Sequence, residues 1–157
     1  MFIKLNSKKG FTLVEIMIVV AIIGLLVAIA IPNLLRARLS ANQAAAEGNC
    51  KTLISALESY RSDQNPPEYP SAAQGLAILG SSTPPYIDSV LAGGTKQGYT
   101  YTYTPDANGD GVLDDYTMVV DPVTRNRTGN AGYFFDESGV IRKDAAATAT
   151  VGSTELQ

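Results

Sequence analysis

The chain has 157 residues, a formal net charge of -3 and one cysteine, and it contains no histidine. That length holds one domain plus an appendage, and the missing imidazole excludes every triad or metal site built on histidine. The charge is uneven. Residues 1–10 carry Lys4, Lys8 and Lys9 with no acid, residues 11–62 hold four basic and three acidic side chains, and residues 63–157 hold five basic against twelve acidic ones. So acidic a distal part is a poor nucleic-acid binder, since phosphate recognition needs a basic surface, and no nucleic-acid partner is expected. Cys50 alone closes no intrachain disulfide and leaves the redox compartment unread.

In chain order, a basic leader over residues 1–10 precedes an apolar run. From Phe11 to Ile31 only Thr12, Glu15 and Gly24 interrupt it. Such a run suits a helix crossing roughly 30 Å of hydrocarbon. Ala28 and Ala30 are followed by Ile31-Pro32 and then by LLRARLSANQAAAEGNC, which continues as a helix. The segment therefore reads as a retained anchor rather than a cleaved secretory signal. Lysines before the span place the N-terminus on the cytoplasmic side and the bulk of the chain outside. Glu15 is the anomaly, because a charge at mid-membrane costs about 2.5 to 3.5 kcal/mol on insertion scales.

The string GFTLVE, residues 10–15, followed by IMIVVAIIGLLVAIAIPNLLRAR, resembles the class III signal of type IV pilins and of the pseudopilins of type II secretion. The likeness is specific through about the first 40 residues and weaker beyond Arg38. It implies cleavage after Gly10 by a prepilin peptidase and methylation of the new terminal Phe11. The fold it implies is α+β: a long N-terminal helix, half transmembrane and half amphipathic, packed on a small antiparallel sheet. The implied function is that of a type IV pilus subunit, polymerised through its apolar helix with identical copies by an inner-membrane assembly platform and ending extracellularly. The alternative is a major pseudopilin forming a periplasmic pseudopilus. Cleavage would leave an amine on Phe11, four residues before Glu15 and on the same helical face. That amine, or one from a neighbouring subunit, would neutralise Glu15.

Pro32 removes a helical hydrogen bond and Gly24 weakens a helix, so a distortion is expected there. It is either a simple kink or, as the resemblance implies, a loss of helicity between the two positions on assembly. After Pro32, Leu35, Leu39, Ala46, Cys50, Leu53, Ile54, Leu57 and Tyr60 form an apolar stripe, with Asn42 its polar interruption, expected to meet solvent rather than a partner across a subunit contact. On that stripe Cys50 reads as buried packing rather than a reactive thiol. The stem helix is expected over residues 11–64, roughly 80 Å long, ending at Asn65-Pro66-Pro67.

A connecting region over residues 65–98 follows. SAAQ, from Ser71 to Gln74, reads as a capping box opening a short helix through Leu79. A second short helix is expected from Thr83-Pro84-Pro85 to Gly93-Gly94. The phrase YPSAAQGLAIL is similar to major pseudopilins.

The sheet is expected over residues 99–143. Tyr99, Tyr101 and Tyr103 alternate with threonines in a strand, a second strand fits Tyr116 to Val120, and a hairpin joins Gly132–Asp136 to Val140–Arg142. GYFFDESGVIR is similar to the last hairpin of several short pilin-like subunits. Between the first strands, DANGDGVLDD puts Asp106, Asn108, Asp110 and Asp114 at positions 1, 3, 5 and 9 of a calcium loop, with Gly111 at the sixth and the Val112 carbonyl available. Position 12 is Thr117, so any Ca²⁺ would bind weakly. The competing reading is an acidic hairpin loop. The tail, residues 144–157, is small and polar and expected to be flexible or laid on the surface. With no phosphate-cradling loop and no separated carboxylate pair, nothing points to an enzyme.

Overall fold

The computed structural model describes residues 10–105, 109 and 111–156. These fall into two compact units, one up to Arg36 and one from Ala37 onward. Helix α1 spans Leu13–Asp63, close to the expected stem. Its end follows from chemistry: Arg61 sits in the last turn, where a cation suits the helix dipole, and Asn65-Pro66-Pro67 denies further helical N–H groups.

The second unit is the C-terminal half of α1 with two short helices and a sheet. Helix α2 is Ala77–Ser81 and α3 is Ser89–Ala92. Strands β1 (Thr95–Lys96), β2 (Tyr99–Pro105), β3 (Tyr116–Pro122), β4 (Gly132–Asp136), β5 (Arg142–Asp144) and β6 (Thr154–Glu155) form one antiparallel sheet in that order. The architecture is the expected α+β, pilin-like one.

Along α1 the buried side chains are Ala46, Cys50, Leu53, Ala56, Leu57 and Tyr60. The period is the one read from the sequence. Opposite them the inward positions of the sheet are mostly aromatic: Tyr99 and Tyr101 from β2, Tyr116 from β3, and Tyr133 and Phe135 from β4. Tyrosine brings a large apolar body with one polar end that needs a partner when buried, and polar groups of α1 supply several. Asn49 Nδ2 donates to the Tyr101 hydroxyl at 2.8 Å, the Tyr133 hydroxyl donates to Glu47 Oε1 at 3.0 Å, and the Tyr69 hydroxyl donates to Glu58. Each such bond is directional; the first two tie a strand position to a turn of the helix, and the third ties the connecting region to it.

Four expectations are corrected. Asn42 does not face open solvent: it is half-buried, and its Nδ2 donates to the Thr128 carbonyl at 2.8 Å. The Ser71–Gln74 capping contact forms, with Ser71 N donating to Gln74 Oε1 at 2.9 Å, yet the helix begins only at Ala77. Gly75 adopts φ +52 and breaks the first turn. Helix α3 does not begin at the prolines. Asp88 caps it, accepting from the Val90 and Leu91 amides at 3.1 Å each, a stronger start signal than Pro84.

Strand β5 lies two residues later than expected, because the Asp136–Gly139 turn delays the return and Phe134 pairs with Arg142. The tail follows the second of its two expected readings and is laid on the surface, with defined partners. Asp144 belongs to β5, Thr154–Glu155 adds β6, Thr148 Oγ1 donates to Asp121 Oδ2 at 2.8 Å and Ala149 is 1% exposed. This segment and Phe134 line one groove on the outward face of the sheet, which accounts for β4 being buried on both faces.

Burial pushes the phenols of Tyr69 and Tyr101 up to about 12 and raises those of Tyr103, Tyr116 and Tyr133 as well. Unfolded phenols release their protons near pH 10 while the folded ones hold them. Above that point the unfolded state binds fewer protons, and stability falls as pH rises. Alkaline titration followed by tyrosinate absorbance and circular dichroism should therefore show one cooperative step above about pH 10. Gradual ionisation with the fold intact would contradict the packing.

Candidate processing and assembly site

Gly10 and Phe11 precede the helix, and both are exposed, Phe11 at 86%. The first turn of α1 is built by Thr12. Its hydroxyl accepts from the Glu15 amide at 3.2 Å, and Glu15 Oε2 in return accepts from the Thr12 amide at 2.7 Å and the Thr12 hydroxyl at 2.9 Å. This is a capping box: two amide groups that the helix leaves unpaired are satisfied reciprocally. Sequence reasoning missed it, although the Thr-x-x-Glu spacing of residues 12–15 carried the signal. It brings Glu15 onto Thr12, the second residue after the expected cleavage point, with one carboxylate oxygen engaged.

From Ile16 to Leu35 the helix surface is apolar apart from Asn33. Every large apolar side chain from Leu13 to Leu35 is at least 43% exposed, and the segment is long and apolar enough to cross a membrane. An uncovered apolar surface of this extent marks a lipid or protein contact. The helix runs through Gly24 and Pro32 without a break in its assignment. No atom outside the helix backbone and chain neighbours lies within 4 Å of a Cβ built on Gly24.

The other expected residues sit elsewhere. Cys50 is fully buried, and burial together with the nearby Glu47 charge pushes its thiol up to about 12, as befits a packing residue. Among the calcium-loop positions, Asp106, Asn108 and Asp110 lie outside the described residues. Val112 and Asp114 are described and exposed, and Gly111 adopts φ +86, the sharp-turn conformation that the sixth loop position requires. Among the described residues no cluster of three or more acidic or cysteine side chains could hold a metal ion.

The first residues match the prokaryotic N-terminal methylation motif over residues 5–31. The chain is 33% identical over 114 residues to the type II secretion system core protein G of Escherichia coli, covering 73% of each chain. To the core protein G of Vibrio cholerae it is 34% identical over 125 residues, covering 75% of this chain and 84% of that one. It is also 36% identical over 96 residues to the type IV wide pilus major component PilA4 of Thermus thermophilus, covering 60% of this chain and 72% of that one. No solved structure matches. The chain belongs to the family of type IV pilins and type II secretion pseudopilins, whose members are structural subunits.

A Thr12→Val change removes both hydroxyl contacts of the capping box. Losing an N-cap costs about 1 kcal/mol, so the Glu15 amide should exchange with deuterium roughly fivefold faster in detergent micelles. Unchanged protection would show that the hydroxyl contributes nothing to the first turn.

Proposed function

We propose that this chain is the structural subunit of a type IV pilus, anchored in the inner membrane with its N-terminus cytoplasmic until it is assembled. A prepilin peptidase cuts after Gly10 and methylates Phe11. The assembly platform then draws the subunit into a filament, where the apolar half of α1 packs against identical helices. One observation carries this reading: a helix whose large apolar side chains are exposed from Leu13 to Leu35 and whose sole charge there is Glu15, in the first turn.

Glu15 accepts from Thr12 while still having the capacity for a cation, and the amine freed on Phe11 of its own or a neighbouring subunit supplies one. Attraction between the two grows as the surroundings dry, so the pair favours the packed filament and sets its axial register. Gly24 and Pro32 bracket the segment that loses helicity if the stem extends on assembly. The role is structural rather than catalytic.

A second reading, a major pseudopilin of type II secretion, is favoured by the longer similarity to the two core G proteins. Gene removal separates the two: loss of long surface fibres belongs to a pilus, secretion failure to a pseudopilus.

The loop over residues 106–114 is proposed to take a calcium ion through Asp106, Asn108, Asp110, Asp114 and the Val112 carbonyl. The ion would supply a charge that offsets the repulsion among these acids.

Two measurements test these proposals. Glu15→Leu should insert into the membrane at native levels and yield no filaments; normal filaments from that variant would refute the pairing. Calorimetry on the detergent-solubilised chain should show calcium uptake with a Kd on the order of 10⁻⁴ to 10⁻³ M, and a flat trace would end the calcium proposal.

A further inference from the structure

In the unit from Ala37 onward, contacts between α1 and the sheet fix how far along the helix each part lies. Asn42 holds the Thr128 carbonyl, Glu47 holds Tyr133 and Lys143, and Asn49 holds Tyr101. At the far end Glu58 accepts from Tyr69, whose amide donates to the Leu113 carbonyl at 2.8 Å. From Asn42 to Glu58 the helix rises about 24 Å.

Charge is divided along that rise. Near Asn42 lie Arg38, one turn earlier on the helix, and Arg127, next to Thr128; both are exposed and neither joins an ion pair among the described residues. Arg125 at this end pairs with Asp121 at 2.9 Å, and the Asp144 carboxylate accepts from the amides of Ala146 and Ala147. The middle is largely neutralised by Lys143–Glu47 at 2.9 Å and Lys96–Asp88 at 2.7 Å. Near and beyond Glu58 come Asp63 and Glu68. Arg61, stacked on Tyr69, is the nearby cation among the described residues. The head is thus basic at one end and acidic at the other.

We propose that these ends are the two halves of a contact between copies of this chain, the acidic end of one head meeting the Arg38–Arg127 end of the next copy along the filament. The proposal rests on the filament reading above. Copies leaving one membrane share one polarity, so their heads point the same way. Side by side at equal height they set like charges together; displaced along the axis they set opposite charges together. A contact that joins two different patches is heterologous and propagates into an open helix rather than closing into a dimer. Because screening limits these charges to about 8 Å at physiological salt, the contact selects the axial step once copies touch.

The test uses the full chain in its native host. One variant, R38E/R127E, makes both ends acidic; another, D63K/E68K, makes both ends basic. Each alone should accumulate in the membrane as processed subunit and give at least tenfold less sheared filament. Expressed together they should restore filaments containing both. Native filament yield from either variant alone, or no recovery on mixing, overturns the contact. If a variant fails to accumulate, E68C/R127C decides instead. A short bis-maleimide applied to its filaments should give a ladder of covalent multimers absent from either single cysteine variant, and the lack of a ladder overturns the proposal. Absence of filaments from the native chain would instead sink the filament reading itself.

Discussion

Everything in this molecule depends on a single 51-residue helix having two kinds of surface. Up to Leu35, apart from Glu15 and Asn33, it is apolar on all sides, a pattern that finds no resting place in water. From Ala46 to Tyr60 it is apolar along one stripe only, and the sheet covers that stripe. A stripe can be buried by one partner, whereas an all-round apolar surface needs lipid or several sister helices. The chain satisfies the first demand itself and leaves the second to its surroundings, which is why a subunit of this family is both an anchored protein and a polymer unit.

The sheet meets the stripe with tyrosines. A leucine face would have buried similar area without direction. Phenols bury the area and also carry a directional hydroxyl: Tyr101 meets Asn49 and Tyr133 meets Glu47 within one turn of the helix, and Tyr69 of the connecting region meets Glu58 further along it. The consequence is a fixed register between helix and sheet. That register in turn places the loop around Arg127 near Asn42 and the loop around Asp114 near Glu58, so the separation of charge in the head follows from the tyrosine contacts.

At the other end of the helix, Thr12 and Glu15 solve a local problem of unpaired amides. The same carboxylate is the lone anion of the apolar half. A helix start needs an acceptor and a greasy bundle tolerates an anion only with a partner, so one side chain answers to both constraints.

Much of this was legible in the chain itself. The apolar run, its single acid, the stripe on the second half of the helix and the Tyr-Thr alternation of β2 all follow from periodicity, because helix and strand repeats depend on near neighbours alone. The capping box was equally local and could have been read from Thr12 and Glu15. What near neighbours do not determine is where a polar or weakly patterned segment finds its partner. Asn42 meets a carbonyl 86 positions away, β5 slips by two residues to suit the turn before it, and a tail of small polar residues becomes an edge strand because an exposed sheet face and the unpaired edge of β5 were available to it. Those outcomes belong to the tertiary structure, since contacts between distant segments exist only once the chain has folded.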